Sequence, residues 1–340
     1  MTLDNNRRAA KALFMIAKDA LIYKYENKNY LNNEPMESLK HWKQRMAEEA
    51  NAGSKIISTP MGDVQYTEVG AGLPVLHSHG SPAGCDAGPR AFNNLAMQGG
   101  LQWITPSRPG FLKTPLEIGK LPEQQADMFV AVMDALDIEK AVVHGWSAGG
   151  PPAIEAAKKY PDRFVGLILY SCVAHHWGHR VTWFEKMILS DPGEWIFSLM
   201  QKMSPEAFRK KTCEEMGLDY DYLKNIPESV AFIDQLFSFM SPASLRNPGS
   251  FNDIDNYRRI VDLQLEKISI PTLITFSHSD NQLPFSNAQE AADKIPNARL
   301  IDFKFGGHFP MADPRSDYLN EEIIKFVTTC HTIQKNHVKV

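Results

Sequence analysis

The pattern of apolar and polar positions changes character at about Lys55. Before it, apolar residues recur at helical spacing, which predicts two helices. After it, short apolar runs end in glycine-containing loops and alternate with amphipathic stretches. The runs predict strands, in chain order KIISTP, DVQYTEVG, LPVLHSHG, LQWITPSRPG, AVVHG, FVGLILYS, ISIPTLITFSHSD and ARLIDFKFGGH, the first two forming a hairpin. Strands that alternate with helices indicate an α/β fold, with a mostly parallel sheet and helices on both faces.

The alternation stops between His175 and Leu265. This stretch has no clear strand, and its tryptophans and phenylalanines recur at helical spacing, so we predict helices whose aromatic and methionine side chains mostly form a core of their own. A helical insertion within one sheet domain explains the pattern better than two domains in tandem. We therefore predict a helical extension over 1–52, a core over 53–174 and 266–340, and a helical insertion over 175–265.

Composition narrows the class of protein. The chain has 340 residues, of which 43% are hydrophobic and 22% charged, and its net charge is −4. This net charge gives no indication that the protein binds nucleic acid or an anionic membrane. The four cysteines form no C-x-x-C pair, which fits a reducing compartment. No apolar run approaches the roughly 18 to 20 residues of a membrane span, so we predict a cytoplasmic protein.

The N-terminal helices admit two interpretations. Packing on the main domain is one, and a contact surface for a partner, a membrane or a second copy of the chain is the other.

A serine between glycines lies where the predicted strand AVVHG meets the next helix. In Gly145-Trp146-Ser147-Ala148-Gly149, the glycines leave room for a sharp turn, because side chains there would collide with the neighbouring strand and helix. A serine on such a turn stands above the sheet edge, the position of a nucleophile. The turn also directs the helix N-terminus, with the Ala148 N–H, at the serine, where it can stabilise an oxyanion. The alternative is an ordinary turn serine.

Two further side chains follow predicted strands of the same sheet. Asp280 ends ISIPTLITFSHSD, and His308 ends ARLIDFKFGGH. Carboxyl ends of strands in an open α/β sheet border the ligand crevice, so these residues can supply the base that a hydroxyl needs and the group that orients the base. A turn aspartate and a loop histidine are the alternatives. His144, inside a strand, is interpreted as a buried, hydrogen-bonded histidine.

These motifs resemble those of α/β-hydrolase fold serine hydrolases that carry a helical cap. The branch includes esterases, lactonases, proline iminopeptidases and carbon–carbon bond hydrolases. The resemblance runs from Lys55 to the C-terminus and rests on His79-Gly80-Ser81, Arg108-Pro109-Gly110, Gly-Trp-Ser-Ala-Gly, Asp280 and Gly-Gly-His308. The loop HGSPAG departs from the HGGPG pattern of iminopeptidases at its third residue. A serine at the nucleophile position argues against epoxide hydrolases and haloalkane dehalogenases, which carry an aspartate there.

The resemblance implies a role for each matched residue. Ser147 is the nucleophile, His308 the general base and Asp280 its partner, and the backbone N–H groups of Ser81 and Ala148 form the oxyanion hole. The implied enzyme needs no cofactor. We expect a carboxylesterase-like serine hydrolase of class EC 3.1, acting on a small, hydrophobic acyl substrate. The alternatives are an aminopeptidase, a lactonase, a carbon–carbon bond hydrolase, or a small-molecule receptor of the same fold with slow turnover.

Four residues are candidates for substrate contact: Trp146, His175, His176 and Phe309. The run HHWGH, which ends at His179, also suggests a zinc site. That run has no carboxylate nearby to orient the imidazoles, and the proposed chemistry needs no metal, so we predict no metal site.

Overall fold

The computed structural model describes residues 37–178 and 180–337. The first predicted N-terminal helix and His179 lie outside these residues. All eight predicted strands form a single sheet, in the order β1-β2-β4-β3-β5-β6-β7-β8. β2 is antiparallel to both of its neighbours, and the remaining pairs are parallel. The strands are β1 Lys55–Thr59, β2 Gly62–Val69, β3 Leu73–Ser78, β4 Leu101–Pro106, β5 Ala141–Trp146, β6 Phe164–Tyr170, β7 Thr272–Ser277 and β8 Ala298–Phe303.

The described residues form twelve α-helices. In chain order they are α1 Leu39–Asn51, α2 Ala87–Gly99, α3 Pro122–Ala135, α4 Gly150–Lys159, α5 Trp183–Ile188, α6 Asp191–Met203, α7 Pro205–Met216, α8 Tyr220–Leu223, α9 Pro227–Leu236, α10 Asn247–Tyr257, α11 Ser286–Lys294 and α12 Tyr318–His337. Helices α5 to α10 lie between β6 and β7, in the region predicted to be a helical insertion. The domain boundaries drawn from the sequence stay predictions.

Helix α2 is absent from the sequence-based prediction. Its sequence, AGPRAFNNLAMQG, holds three glycine or proline residues among thirteen and has little local preference for a helix. Burial of Phe92, Leu95 and Ala96 stabilises it instead.

Alternate side chains of the central strands point into two separate cores. On β5, Val142 lies in one core and Val143 in the other. The core that holds Val143 includes side chains of α3, α4 and α11, and the core that holds Val142 includes those of α2 and α12. Because strand side chains alternate in direction, this division confirms a sheet covered by helices on both faces.

The side chains of the inserted helices are only partly buried. Met200 is buried, but Trp183 and Met187 are 77% and 52% exposed. These two residues are four positions apart on the six-residue helix α5, so they share one outward face. The prediction that the aromatic and methionine side chains of this region mostly form a core is wrong for α5.

Helix α1 touches both the sheet and the inserted helices. Its buried residues are Trp42, Met46 and Ala50. At one end the Trp195 indole of α6 donates a hydrogen bond to the Glu37 carbonyl. At the other end Gln65 of β2 donates to the Asn51 side chain at 2.7 Å. Among the described residues no helix is both long and apolar enough to cross a membrane.

Candidate functional site

Ser147 sits in a strained turn between β5 and α4. Its φ is +53°, a left-handed conformation that L-residues rarely adopt and that costs free energy. The surroundings leave no space for larger neighbours: a Cβ on Gly149 would lie 2.0 Å from the Ser78 carbonyl oxygen, and one on Gly145 would lie 2.9 Å from the Ala153 Cβ. The turn therefore requires glycine on both sides, and it raises Ser147 above the carboxyl edge of the sheet.

The Ser147 hydroxyl is one end of a hydrogen-bonded chain. Its Oγ lies 2.9 Å from Nε2 of His308, and Nδ1 of His308 lies 2.8 Å from Oδ2 of Asp280. The carboxylate can only accept a hydrogen bond, so the proton of the neutral imidazole resides on Nδ1. Nε2 is then free to accept the serine proton. The structure thus brings together three residues that are far apart in the chain.

The Asp280 carboxylate is held on both of its oxygens. Oδ1 accepts hydrogen bonds from the backbone N–H groups of Gln282 and Leu283, at 2.7 and 3.0 Å. Oδ2 faces His308, and the side chain has no solvent exposure. A carboxylate fixed in this way orients the imidazole toward Ser147.

The backbone after β3 lies against Ser147. A Cβ on Gly80 would come within 3.0 Å of the Ser147 Cβ, so the peptide that joins Gly80 to Ser81 borders the hydroxyl. The Gly80 carbonyl accepts hydrogen bonds from Nδ1 of His79 at 2.8 Å and from the N–H of Ala83 at 3.1 Å. In a trans peptide the N–H points away from the C=O, so these bonds fix the direction of the Ser81 N–H.

His79 itself is fixed by Arg108, which follows β4. The Arg108 N–H donates to Nε2 of His79 at 2.9 Å, and its Nε donates to the His79 carbonyl at 2.8 Å. Nε2 must therefore be the acceptor and Nδ1 the protonated nitrogen. Burial and the Arg108 charge hold the pKa of His79 well below its usual range, which keeps this arrangement neutral.

The peptide before Ala148 is also held at its carbonyl. The N–H of Val173 donates to the Ser147 carbonyl at 3.0 Å. The N–H of Ala148 belongs to the same peptide and lies in the first turn of a helical segment, where no intrahelical acceptor exists.

The C-terminal end of α7 contacts both loops that carry the histidine and the aspartate. The Met216 carbonyl accepts from the His308 N–H at 2.8 Å. The carbonyls of Glu214 and Glu215 accept from the side chains of Asn281 and Gln282, at 2.8 and 2.9 Å. These carbonyls belong to the last turn of the helix, where intrahelical donors run out, and the two loops supply donors to them.

Aromatic rings from separate elements meet beside Ser147 and His308. Phe309 packs edge-on against Trp146, with ring centroids 5.4 Å apart, and against His308 at 5.5 Å. Phe232 of α9 lies 6.3 Å from Phe309. Two of the predicted substrate residues are therefore adjacent to the hydrogen-bonded chain, and α9 adds a third ring that the sequence did not single out.

The histidines after β6 have other neighbours. His175 Nε2 lies 3.5 Å from the Ser286 hydroxyl, and His176 Nδ1 lies 3.3 Å from the Ile260 carbonyl. His176 also borders a polar cleft of about 340 Å³ with Gly178, Arg180, Arg258 and Arg259. Within the described residues the hydrogen bonds of these histidines do not reach Ser147, and no group of three or more His, Cys, Asp or Glu side chains is arranged to hold a metal ion.

His144 is buried, as predicted, and its partner is a second histidine. Its Nδ1 lies 2.8 Å from Nδ1 of His77 on the neighbouring strand β3. Both side chains have no solvent exposure and are surrounded by the rings of Phe92, Trp103 and Trp146.

Comparison with known proteins places the chain in a family. Residues 75–321 match the profile described as "Alpha/beta hydrolase family". The "Uncharacterized hydrolase YcgS" of Bacillus subtilis is 29% identical over 256 residues, which span 73% of this chain and 88% of that protein. The "2-hydroxy-6-oxo-6-phenylhexa-2,4-dienoate hydrolase" of Comamonas testosteroni is 25% identical over 286 residues, 81% of this chain and 95% of its own.

A solved structure agrees with the sequence matches. The "Alpha/beta hydrolase fold protein from Nakamurella multipartita" is 30% identical and superposes with a TM-score of 0.70. The superposition covers 81% of this chain and 98% of that protein. The profile match extends over more than half of the chain, and the mostly parallel eight-stranded sheet agrees with it. The protein therefore belongs to the α/β-hydrolase family.

Proposed function

We propose that the protein is a serine hydrolase that cleaves a carboxylic ester or a related acyl bond through an acyl-enzyme on Ser147. The observation that carries the proposal is the hydrogen-bonded chain from Asp280 through His308 to Ser147, with distances of 2.8 and 2.9 Å. A nucleophile, a base within hydrogen-bond reach and a group that orients the base are the parts that acyl transfer needs.

The proposed reaction has two halves. In the first, Ser147 Oγ attacks the acyl carbonyl carbon while Nε2 of His308 takes its proton, and the leaving group departs with that proton. In the second, a water molecule gives a proton to Nε2 of His308 and attacks the acyl carbon. The bond between that carbon and Ser147 Oγ then breaks, Oγ takes the proton from His308, and the acid is released. Asp280 stabilises the imidazolium that forms in each half.

The oxyanion of each tetrahedral intermediate requires preorganised donors. We assign this role to the N–H groups of Ser81 and Ala148, because their peptides border the Ser147 side chain and are both held at their carbonyls. Donors of this kind typically contribute about 3 to 4 kcal/mol each to transition-state stabilisation.

A small, hydrophobic substrate fits the rings near the serine. Trp146 and Phe232 both pack against Phe309, which packs against His308, and Phe232 belongs to the inserted helices. This arrangement supports the proposal that helices α5 to α10 act as a cap over the acyl or alcohol group. The roles of His175 and His176 in substrate binding stay predictions.

The name of one relative supplies a second candidate substrate. Because the chain is similar to a 2-hydroxy-6-oxo-6-phenylhexa-2,4-dienoate hydrolase over most of that protein's length, this dienoate belongs in the same activity screen as the esters. Turnover of the dienoate in preference to every ester would favour this candidate.

The first prediction tests Ser147. A fluorophosphonate probe should label the wild-type protein and not Ser147→Ala, because the probe reacts with an activated serine hydroxyl. The wild type should also hydrolyse p-nitrophenyl esters of short to medium chain length, with kcat in the ordinary range of about 1 to 1000 per second, and should leave a proline arylamide intact.

Ser279→Ala is the control for this labelling experiment. Ser279→Ala removes a nearby hydroxyl that bonds to Ser277 and the Gly307 N–H instead of to His308, and it should remain labelled. Labelling of Ser147→Ala would remove Ser147 from its proposed role. A single stoichiometric burst with tight product retention would favour a receptor, and rapid arylamide cleavage would favour a peptidase.

A further inference from the structure

Two residues on one face of inserted helix α10 are hydrogen-bonded to groups close to Ser147. Asp253 and Tyr257 are four positions apart, so they lie on the same side of the helix, and both are fully buried. Neither belongs to a motif that can be recognised in the sequence. Asp253 is hydrogen-bonded to the Arg108 side chain, and Tyr257 is hydrogen-bonded to the Ala148 carbonyl.

Asp253 acts on the Ser81 side through Arg108. The pair is bidentate: Nη1 and Nη2 of Arg108 donate to the two carboxylate oxygens at 2.8 and 2.6 Å, and neither side chain is more than 1% exposed. Arg108 in turn holds both Nε2 and the carbonyl of His79, and His79 holds the Gly80 carbonyl. Asp253 is thus the outer end of a chain that fixes the peptide carrying the Ser81 N–H.

Tyr257 acts on the Ala148 side directly. Its buried hydroxyl donates a short hydrogen bond to the Ala148 carbonyl. That carbonyl lies at the start of the helical segment after Ser147, next to the peptide that carries the Ala148 N–H. Without the hydrogen bond from Tyr257, the helical segment after Ser147 would lose one of the contacts that fix its position.

The start of α10 is fixed to the loop of Arg108 by a close backbone approach. The Gly249 N–H donates to the Gly110 carbonyl at 2.9 Å, and a Cβ on Gly110 would lie 2.6 Å from the Gly249 nitrogen. The positions of Asp253 and Tyr257 relative to the sheet are therefore set by backbone contacts as well as by side chains.

We propose that Asp253 and Tyr257 are positioning residues for the two backbone donors that stabilise the oxyanion, so that one inserted helix sets the geometry of both. The inference rests on the proposed acyl-transfer function. It assigns to α10 a part in catalysis that is separate from any contact with substrate.

The test is Tyr257→Phe, which removes one hydroxyl and keeps the ring. An oxyanion exists only in the transition state and the intermediates, so loosening its donors should lower kcat and leave KM nearly unchanged. We expect kcat on a p-nitrophenyl ester to fall about tenfold, less than the hundred- to thousandfold cost of deleting an oxyanion donor outright. A trifluoromethyl ketone, whose adduct on Ser147 places an oxyanion in the same position, should lose affinity by the same factor.

Tyr160→Phe is the matched control. The Tyr160 hydroxyl donates to the Asp127 carboxylate at 2.6 Å, at the end of α4 remote from Ser147, so this variant also loses one tyrosine hydrogen bond. It should keep the wild-type kcat, KM and ketone affinity. Asp253→Asn should lower kcat by the same factor as Tyr257→Phe. If the loss of the buried ion pair unfolds Asp253→Asn, the measurement on Tyr257→Phe still tests the inference.

The outcomes separate the two proposals. Suppose that the wild type turns over esters normally and that a folded Tyr257→Phe keeps the wild-type kcat and ketone affinity. This result would overturn the inference about α10 and leave the proposed function intact. A rise in KM at constant kcat would also overturn it, since that result indicates substrate contact. A wild type that neither turns over esters nor forms the ketone adduct would overturn the proposed function and this inference with it.

Discussion

At the scale of single residues, the buried pair of His77 and His144 links stability to pH. Each neutral imidazole carries one N–H, so one histidine donates to the other across 2.8 Å and neither has room for a second proton on the shared side. Burial lowers the pKa of His144 to about 3, and burial together with the His144 charge lowers the pKa of His77 well below its usual range. In the unfolded chain both would titrate near their ordinary value of about 6.5.

The protein should lose stability as it is acidified below pH 6.5. Over the window from about 6.5 to 3 the unfolded state binds more protons than the folded state, so the free energy of unfolding falls with pH. Between pH 7 and 5 the loss should be about 2 kcal/mol for each buried histidine, measured by urea denaturation. His144→Gln should show a smaller loss over the same interval, although it is less stable at pH 7.

His278→Gln is the control for this measurement, because the His278 side chain is 46% exposed. It should retain the full difference between pH 7 and 5. An undiminished difference in His144→Gln would show that the acid sensitivity arises elsewhere.

The residues of the site differ in how far the sequence could identify them. Ser147, Asp280 and His308 each end a run of apolar residues, so a local pattern marks the place where the chain leaves the sheet. Asp253 has no such mark: its partner Arg108 is 145 positions away, and only the folded chain brings the pair together. The same holds for Tyr257 and for the carbonyls of α7, whose roles come from long-range packing.

At the scale of elements, the C-terminal end of α7 is packed closely against the loops that carry Asp280 and His308. Both the helix end and the His308 loop require glycine at this contact. Gly217, just after α7, has a φ of +73°, and a Cβ there would lie 1.6 Å from the Ser279 carbonyl oxygen. A Cβ on Gly307 would lie 2.0 Å from the Met216 carbonyl oxygen. Such close backbone approach means that a shift of α7 must displace the loops of Asp280 and His308.

The double variant Asn281→Ala/Gln282→Ala tests this contact. Both side chains are exposed and each makes one hydrogen bond to α7, so the free energy of unfolding should fall by no more than about 1 kcal/mol for each bond. If α7 holds the Asp280 loop in register, kcat/KM on a p-nitrophenyl ester should fall about five- to tenfold. Michaelis kinetics and urea denaturation together check both numbers.

Gln289→Ala provides the comparison. Its exposed amide donates to Asp293 within α11 and makes no contact with α7, so kcat/KM should be unchanged. Equal kcat/KM in the wild type and the double variant would show that α7 does not influence the loop.

At the scale of the whole molecule, α1 couples the sheet to the inserted helices. Its Trp42 and Met46 side chains are buried, Lys43 pairs with Asp191 of α6, and Asn51 bonds to Gln65 of β2. The sequence predicted a helix here but not its place, since helical periodicity shows which face is apolar and not what covers it. The sheet and the inserted helices should consequently unfold together.

Trp42→Ala should lower the free energy of unfolding by about 3 to 5 kcal/mol, because it removes a ring that is 1% exposed. The transitions followed by tryptophan fluorescence and by far-UV circular dichroism should still coincide, at a lower urea concentration. Lys40→Ala, an exposed position on the same helix, should change stability by less than about 0.5 kcal/mol. Two separate transitions in the wild type would contradict the coupling.

The backbone contact between Gly110 and Gly249 bears on how this protein can be recombined with its relatives. Exchange of the segment between β6 and β7 for that of another family member would be expected to alter specificity if the segment were an independent module. Here the incoming segment must bring a glycine opposite Gly110 and an acidic residue opposite Arg108. A chimera that lacks the acidic residue would leave a buried guanidinium without its ion-pair partner, and one that lacks the glycine would press a side chain against the ring of Phe111, which a Cβ on Gly249 would approach to 2.2 Å. The loop after β4 and helix α10 therefore have to be transferred as one unit.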